Sequence, residues 1–238
     1  MKLETEFLNK WAVTDYRVLN NFQSKKNRVF LLEIKSQVQG MQKVVVKKYK
    51  SGAENKKKET RILQRLFIQK VNVPQVYYEG KKMIILEYIK GKLLVDLLYS
   101  TGYRRGEINE QVSFVLEKLA DWFKQFYEVM AQNKKETIIM GDVNFRNLIL
   151  SKQEIYGLDF ESCQKGIPEQ DMGRLCAFAL TYDPAFTDWN IKLTQKLARI
   201  MVDKLNLVHN ILQTEFKKEL FAIKIRRNID IPDLNMKI

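Results

Sequence analysis

Three oxygen-bearing side chains are spaced so that a single β-hairpin would bring them together. Asp142 and Asn147 lie in one polar stretch of the chain, and Asp159 lies in a second. If residues 148–150 pair with residues 155–158, Asn147 and Asp159 come to lie side by side at one end of the hairpin. Either stretch alone is as consistent with a simple turn as with a site, but their joint occurrence favours a site.

These three side chains suit the metal-assisted transfer of a group to a hydroxyl. Hard cations such as Mg²⁺ are held by one or two carboxylates together with substrate phosphates. Asp142, in the loop just before the hairpin, is placed to accept a proton from a hydroxyl nucleophile. We therefore expect Asn147 and Asp159 to be the metal ligands, and Asp142 with Asn147 to be the catalytic residues.

A lysine and a glutamate in the first third of the chain are predicted to form a buried ion pair. Glu59 precedes Ile62 and Leu63 by three and four residues, which places it on the apolar face of a helix. A carboxylate there needs a cation partner, because an unpaired buried charge is costly. Lys47 directly follows the apolar run of a strand and Lys48 faces the opposite side, so Lys47 is the expected partner. Such a pair could aim the ammonium at nucleotide phosphates.

An apolar strand at residues 84–89 could supply the binding edge for a base. Its backbone N–H and C=O groups could hydrogen-bond an adenine near Leu86, Glu87 and Ile89. The signal is weak alone, since any buried strand has a similar sequence.

Two regions of different character contain these residues. The first is rich in alternating and β-branched segments, and the second, after Lys90-Gly91, is rich in segments with helical periodicity. The first region is predicted to hold strands at 16–21, 27–34, 41–49, 71–78 and 81–89, with one helix at 56–69. The second is predicted to hold helices at 95–100, 108–132, 169–180, 188–212 and 215–227, with the hairpin at 147–160. In the helices, Phe67 and Phe114 are expected on apolar faces.

The composition is that of a globular chain with excess positive charge. The 238 residues are 45% hydrophobic and 29% charged, which favours a globular over a disordered chain, and 10 Gly and 2 Cys exclude a collagen-like chain or a disulfide scaffold. The net charge of +13 favours an anionic partner: a nucleotide, a phosphorylated metabolite, nucleic acid or a membrane surface. His209 is the only histidine, which excludes histidine-based triads. Two cysteines and the lack of a run of about 18 apolar residues predict a cytoplasmic protein without membrane insertion.

Together these residues resemble the protein-kinase-like superfamily, and more closely its aminoglycoside phosphotransferase and choline kinase branch. The resemblance covers roughly residues 15–180. It implies an α+β, two-lobed fold, with an antiparallel sheet and one helix in a nucleotide-binding lobe at 1–90 and a mainly helical catalytic and substrate lobe at 91–238. It also implies ATP and Mg²⁺ as cofactors.

The same resemblance assigns roles to individual residues. Lys47 would contact the α- and β-phosphates, and Glu59 would hold it. Asp142 would be the catalytic base, while Asn147 and Asp159 would bind Mg²⁺. Three residues of the strand before the second lobe would line the adenine pocket: Leu86, Glu87 and Ile89. Asp171 would brace the catalytic loop.

The chain departs from the family pattern at two places that bear on function. The segment Phe22–Asn27 corresponds to the loop that covers the phosphates, but it lacks glycine and offers Ser24 and two lysines instead. Only nine residues separate Glu161 from Asp171, which leaves little room for an extended peptide substrate. Glu161 itself is as consistent with a metal contact as with a solvated turn.

The leading hypothesis is an ATP- and Mg²⁺-dependent kinase that phosphorylates a hydroxyl of a small molecule. The alternatives are a catalytically silent nucleotide-binding scaffold and an atypical kinase partner of an RNA-modifying assembly. Nucleic acid binding is possible but not favoured, through basic clusters at residues 56–58, 217–218 and 226–227. The acceptor is expected between Asp142 and the residues 182–190, whose acids would suit a cationic compound. The oligomeric state stays open.

Overall fold

The protein folds into a strand-rich N-terminal part followed by a mainly helical part, as the sequence predicts. The computed structural model describes the chain except residues 23, 25, 51–52, 102–107, 132–136 and 234–237. The described residues divide into two compact units, one of residues 1–90 with Asp159–Glu161, and one of Gly91–Leu158 with Ser162–Ile238. None of the described helices is both long and apolar enough to cross a bilayer.

The first unit is built on a five-stranded antiparallel sheet. Its strands run in the order β1-β2-β3-β5-β4. Their bounds are β1 Val13–Phe22, β2 Asn27–Ser36, β3 Gly40–Tyr49, β4 Val76–Glu79 and β5 Met83–Glu87. Two helices accompany them, α1 Thr5–Lys10 and α2 Ala53–Ile68. The sheet buries alternate apolar residues such as Val44 and Val46 of β3, which is the pattern that a half-buried strand requires.

Helix α2 carries the glutamate of the predicted ion pair into the interior of this unit. Leu63 and Leu66 are buried on the same face as Glu59. The expectation for Phe67 is wrong, because its side chain is 43% exposed near the end of the helix. Thus the buried stripe is narrower than the apolar residues alone indicate.

The second unit combines helices with two small sheets. Its helices are α3 Leu94–Thr101, α4 Glu110–Met130, α5 Pro168–Thr181, α6 Asp188–Leu205 and α7 His209–Arg227. Its strands are β6 Lys92–Leu93, β7 Thr137–Ile139, β8 Leu148–Ser151, β9 Glu154–Gly157 and β10 Gln164–Gly166. Helix α5 packs against both α6 and α7. Phe114 of α4 is 41% exposed, so its expected place on the apolar face is also wrong.

The predicted hairpin is present as β8 and β9. Leu148 pairs with Gly157 and Leu150 pairs with Ile155 in antiparallel register. At the open end of the hairpin, the Leu158 N–H donates to the Asn147 carbonyl at 2.8 Å. The hairpin thereby fixes the end of the loop that contains Asp142.

Candidate active site

The predicted ion pair between Lys47 and Glu59 is present in the first unit. Lys47 Nζ lies 3.0 Å from Glu59 Oε1 and 2.8 Å from Glu59 Oε2. The two side chains are 7% and 1% exposed, so the pair is buried. Strand alternation sends the neighbouring Lys48 to the other face, where its Nζ donates to the Lys2 carbonyl.

The same ammonium contacts two further carboxylates. Lys47 Nζ lies 2.7 Å from Asp159 Oδ1 and 3.4 Å from Glu161 Oε2. One positive and three negative groups give this carboxylate cluster, defined as Lys47, Glu59, Asp159 and Glu161, a net charge of 1 − 3 = −2. Glu161 is only 6% exposed and Asp159 is 42% exposed. The cluster therefore has more negative charge than its own lysine can balance.

The backbone of the short segment Asp159–Glu161 places two acidic side chains in contact with Lys47. Asp159 adopts a left-handed φ of +58°, which aspartate tolerates better than most residues. Phe160 is fully buried, and its N–H donates to Glu59 Oε1 at 3.3 Å. This backbone contact ties the segment to helix α2 directly.

The protonation of the cluster is governed by burial and by the ion pair together. Burial alone would lower the pKa of Lys47, but Glu59 and Asp159 raise it above the ordinary lysine value. Burial raises the pKa of Glu59, and Lys47 offsets only part of that rise. The Tyr49 hydroxyl also donates to Glu59 Oε2, and burial beside that carboxylate raises the pKa of Tyr49. Lys47 therefore stays charged at physiological pH.

Asn27, at the start of β2, is a cluster partner that the sequence did not reveal. Its Nδ2 donates to Glu161 Oε2 at 2.5 Å, and the Asn27 side chain is buried. Lys26 Nζ lies 3.7 Å from Glu161 Oε1. Glu161 is therefore not a solvated turn residue. A single asparagine after a lysine-rich turn carries no sequence signal for such a role.

Ser24 has a local structural contact in the segment expected to cover the phosphates. Its hydroxyl oxygen accepts the Asn27 N–H at 3.2 Å, and the residue is exposed. Residues 23 and 25 of this segment lie outside the described part of the chain. A nucleotide contact by Ser24 stays a prediction.

The residues expected to contact adenine lie at the end of β5. Leu86 and Ile89 are each 8% exposed, and Glu87 is half-buried. The Glu87 N–H donates to the Gln75 carbonyl at 2.9 Å, so this donor already has a partner. Strand β5 ends at Glu87, so residues 88–89 of the predicted adenine-binding edge lie beyond the strand.

The donor set of the first unit suits a hard divalent cation. Carboxylate oxygens of Glu59, Asp159 and Glu161 all lie within 4.8 Å of one another. Oxygen ligands and excess negative charge are what Mg²⁺ requires. Glu161 thus joins Asp159 as a candidate metal ligand. The sequence alone does not decide whether Glu161 has this role. Asn147, the other predicted ligand, belongs to the second unit.

In the second unit, the loop that contains Asp142 is held by amide side chains. Asn147 Nδ2 donates to the Asp142 carbonyl at 2.8 Å. The short 3₁₀ helix Phe145–Asn147 is capped by Asn144, whose Oδ1 accepts the Arg146 N–H at 2.9 Å. Among the described residues, no side chain donates a hydrogen bond to the Asp142 carboxylate, which leaves it available to a ligand.

Asp171 braces this loop from helix α5. Its two oxygens accept the Met140 N–H at 2.7 Å and the Gly141 N–H at 2.9 Å, and the Tyr127 hydroxyl donates to it at 3.0 Å. Burial raises the pKa of Asp171, and these three donors oppose the rise. Gly141 has a φ of +74°, and a side chain there would collide with the Ser162 carbonyl oxygen. The loop before Asp142 is therefore specified by both a glycine and a buried acid.

The residues expected to form an acceptor wall divide into buried and exposed groups. Asn190 is fully buried, and its Nδ2 donates to the carbonyls of Leu180, Tyr182 and Pro184. Trp189 is 3% exposed. Their expected place on a substrate-facing wall is wrong, because they form the core of the corner between α5 and α6. Asp183 and Asp188 are exposed.

The basic clusters considered for nucleic acid are partly committed to internal contacts. Lys56 is buried and its Nζ donates to Glu79 and to the Gly80 carbonyl. Arg226 contacts Glu219, and Arg227 donates to the Thr181 carbonyl. Each of these three side chains therefore has at least one partner within the fold.

Comparison with known proteins decides the family. The family model described as "RIO1: RIO domain" matches residues 19–165, which is more than half of the chain. This chain belongs to the RIO domain family. The match spans both the carboxylate cluster and the loop of Asp142. A search of curated proteins finds no relative of this RIO-domain chain.

Solved kinase structures share the fold of this RIO-domain chain at low sequence identity. Amicoumacin kinase hAmiN in complex with AMP-PNP, Ca²⁺ and Ami has a TM-score of 0.66 at 11% identity, covering 98% of this chain and 89% of that one. The streptomycin-ATP-APH(2″)-IIa ternary complex has a TM-score of 0.60 at 15% identity, covering 100% and 94%. Plasmodium vivax ethanolamine kinase Pv091845 has a TM-score of 0.54 at 12% identity, covering 93% and 78%.

The RIO domain refines the resemblance seen in the sequence. Membership of the protein-kinase-like superfamily is confirmed, and the family and fold are those of kinase-like phosphotransferases. The closer assignment to the aminoglycoside and choline kinase branch does not follow, since likeness at 11–15% identity shows the fold alone.

Proposed function

We propose that this RIO-domain chain is an ATP- and Mg²⁺-dependent kinase that phosphorylates a hydroxyl group of a small molecule. The hydroxyl oxygen forms a bond to the γ-phosphorus, the bond from that phosphorus to the β,γ-bridging oxygen breaks, and ADP leaves with the electron pair. The hydroxyl proton passes to the Asp142 carboxylate. Mg²⁺, if held by Asp159 and Glu161, would neutralise charge on the phosphates.

The observation that carries this proposal is the charge of the carboxylate cluster. Three carboxylates surround the buried Lys47 ammonium, and even with the exposed Lys26, 3.7 Å from Glu161, the formal charge is 2 − 3 = −1 in a mostly buried place. A purely structural ion pair would need one carboxylate, because each added buried acid costs desolvation free energy. A bound divalent cation offsets that excess. Asp159 and Glu161 would hold the cation, and Lys47 would contact the phosphates.

The division of labour between the two units follows from their side chains. Residues 1–90, with Asp159–Glu161, would bind the nucleotide, the adenine lying at the end of β5 near Leu86 and Ile89. The unit that contains Asp142 would bind the acceptor, with Asn147 as a further metal ligand. ATP as donor and two buried free cysteines agree with the cytoplasm.

A small-molecule acceptor is favoured by the short chain before helix α5. Only nine residues lie between Glu161 and Asp171, too few for an extended peptide-docking segment. The similar structures include an amicoumacin kinase and an ethanolamine kinase. A protein hydroxyl is the competing acceptor, since RIO-family kinases act on proteins.

A catalytically silent scaffold is the second candidate function. Lys47 already contacts three carboxylates, and residues 22–27 contain no glycine to bring backbone amides close to phosphates. In this form the protein would bind nucleotide without turnover, on its own or as a partner of an RNA-modifying assembly. Salt-sensitive RNA binding would favour the assembly.

One pair of measurements separates these functions. Calorimetry would measure Mg²⁺-ATP affinity, and labelled ATP with a metabolite pool would measure transfer. Wild type should do both, and Asp142→Asn should bind ATP with affinity within about twofold of wild type but transfer at least a hundredfold more slowly. Labelling of a protein fraction in place of a metabolite would identify a protein acceptor. ATP binding without transfer to either would establish the scaffold.

A further inference from the structure

The guanidinium group of Arg146 is held in place but has unused hydrogen-bonding capacity. Arg146 follows Asp142 by four residues and is exposed. Its guanidinium carbon lies 5.8 Å from the centre of the Tyr182 ring. A cation–π contact of this kind does not use the N–H groups of the guanidinium as hydrogen-bond donors to a carboxylate or carbonyl. No described residue accepts a hydrogen bond from this side chain.

The Tyr182 ring is a fixed platform for Arg146. Its hydroxyl accepts the Phe145 N–H at 3.1 Å, and the Phe145 and Tyr182 rings are stacked with centres 5.8 Å apart. The Tyr182 carbonyl in turn accepts from Asn190 Nδ2 at 3.0 Å. The corner between α5 and α6 therefore positions Arg146 together with the loop that contains Asp142.

A second guanidinium is fixed on the same corner. Arg227 Nη1 donates to the Thr181 carbonyl at 2.7 Å, and its guanidinium carbon lies 5.4 Å from the centre of the Phe178 ring. The exposed acids Asp183 and Asp188 form no ion pair with either arginine among the described residues. Within the part of the chain that the structure describes, neither guanidinium forms an ion pair with a carboxylate.

The two guanidinium groups lie over neighbouring rings, Arg146 over Tyr182 and Arg227 over Phe178, and the centres of those rings are 6.1 Å apart. Burial raises the pKa of the Tyr182 hydroxyl to about 12, while the Phe145 N–H, Arg146 and Arg227 oppose the rise. The Asp142 carboxylate adds to the rise. The Tyr182 hydroxyl thus senses both guanidinium groups and the proposed base at once.

We propose that Arg146 and Arg227 form an anion subsite that binds a phosphate group already present on the acceptor. The inference rests on the proposed kinase function and names its substrate class: a hydroxyl compound that carries a phosphate monoester. A guanidinium fork matches the oxygens of a phosphate in a bidentate manner. The substrate is then anionic, in contrast to the cationic compound expected from the acids at 183 and 188.

The subsite orients the acceptor through a group that does not react. With its phosphate held at Arg146, the free hydroxyl of the acceptor is presented to the base four residues earlier in the chain. Transfer from ATP forms a new oxygen–phosphorus bond on that hydroxyl, and the proton passes to Asp142. The product carries two phosphate groups and ADP is released.

The subsite can be tested without nucleotide, with inorganic phosphate as the probe. The protein is labelled at arginine side chains, and the Nε–H signals are followed by NMR during a phosphate titration at constant ionic strength. The signals of Arg146 and Arg227 should move together and saturate, with a Kd of roughly 1–10 mM. Arg146→Met should weaken binding at least fivefold, and Arg146→Lys should lie between the two, because lysine keeps the charge but loses the fork.

Two controls decide the outcome. Arg199→Gln removes one exposed positive charge from helix α6 and should leave the phosphate affinity within twofold of wild type. Acetate should bind at least fivefold more weakly than phosphate. The subsite is refuted if the shifts do not saturate, if Arg146→Met binds phosphate as wild type does, or if acetate binds equally well.

Failure of the subsite and failure of the kinase function give different results. Mg²⁺-ATP affinity, measured by calorimetry, reports on the carboxylate cluster whether or not phosphate binds at Arg146. In the active protein, glycerol 3-phosphate should accept label from ATP at least tenfold faster than glycerol. Equal rates for the two compounds, with Arg146→Met as active as wild type, would also overturn the assignment.

Discussion

Asn27 and Glu161, which stand 134 residues apart in the sequence, are joined by a hydrogen bond of 2.5 Å between Asn27 Nδ2 and Glu161 Oε2. Both side chains are buried, so the bond is shielded from water. The amide supplies a neutral donor to a carboxylate that already shares one lysine with two other acids. Asn27 thereby stabilises the excess negative charge of the cluster without cancelling it.

Replacing this asparagine should destabilise the protein by an amount that depends on charge. Asn27→Ala should lower the free energy of unfolding by about 1–3 kcal/mol, because Glu161 loses a buried donor. Asn27→Asp should cost more, since two carboxylates would face each other. Adding Glu161→Gln to Asn27→Asp should recover most of the loss, as measured by urea denaturation. Equal stability of Asn27→Asp and wild type would contradict this role.

Asp159→Ala should separate metal binding from folding. The change takes the net charge of the cluster from −2 to −1, so stability should be unchanged or higher. Mg²⁺-ATP affinity should fall at least tenfold in calorimetry, because an exposed metal ligand is lost. Asp15→Ala, an exposed acid on β1, is the matched control and should bind Mg²⁺-ATP as wild type does. Unchanged affinity in Asp159→Ala would remove the metal assignment.

Lys47→Met should make stability depend strongly on pH. Burial raises the pKa of Glu59 in the folded state, and without Lys47 that pKa rises further. The folded protein then holds a proton that the unfolded chain releases above about pH 4.3. The stabilisation of the folded state by this proton on Glu59 is complete below about pH 4.3. It is lost as the pH rises through the pKa of Glu59 in the folded state, and the free energy of unfolding then falls by at most about 1.4 kcal/mol per pH unit.

The control for this pH dependence is a second change at the same pair. Urea denaturation of Lys47→Met from pH 5 to pH 8 should show a falling free energy of unfolding. Adding Glu59→Gln removes the titrating group and should flatten that part of the curve. If the double variant falls as steeply as Lys47→Met, the titrating group is not Glu59.

Two glycines with similar backbone angles should respond differently to alanine. Gly40 has a φ of +70° and open space around its Cα, so Gly40→Ala should cost about 1–2 kcal/mol from backbone conformation alone. Gly141, with a φ of +74°, faces the Ser162 carbonyl oxygen, which is backbone and cannot swing aside. Gly141→Ala should therefore cost at least 2 kcal/mol more than Gly40→Ala in urea denaturation. Equal costs would show that the loop before Asp142 yields easily.

The parts of the site that the sequence predicted are those set by local periodicity. The place of Lys47 follows from strand alternation, that of Glu59 from helical phase, and the hairpin after Asn147 from two apolar runs around a polar turn. Each of these signals lies within a few residues of the side chain that it positions.

The features that the sequence did not predict depend on distant partners. Asn27 and Glu161 meet only through the tertiary fold, and neither sequence neighbourhood indicates which residue the other would contact. The sequence does not predict the burial of Asn190, because a polar residue near a loop usually faces water, whereas here the Asn190 amide donates to three carbonyls at a helix corner. The exposure of Phe67 and Phe114 also depends on distant partners. The width of the buried face of a helix is set by the elements that pack against it, and helical periodicity does not reveal those elements.

The division of the chain has a consequence for the order in which the protein can mature during synthesis. Residues 1–90 emerge first, with Lys47 and Glu59 but without the acids at 159 and 161 that belong to the same unit. At that stage the lysine and the glutamate balance each other. The negative excess of the cluster arises only after a further stretch of chain has been made, so a ribosome-bound nascent chain shorter than 159 residues should contain the Lys47–Glu59 pair without the two further acids. The affinity for a divalent cation that we propose would thus be a property that this unit acquires late.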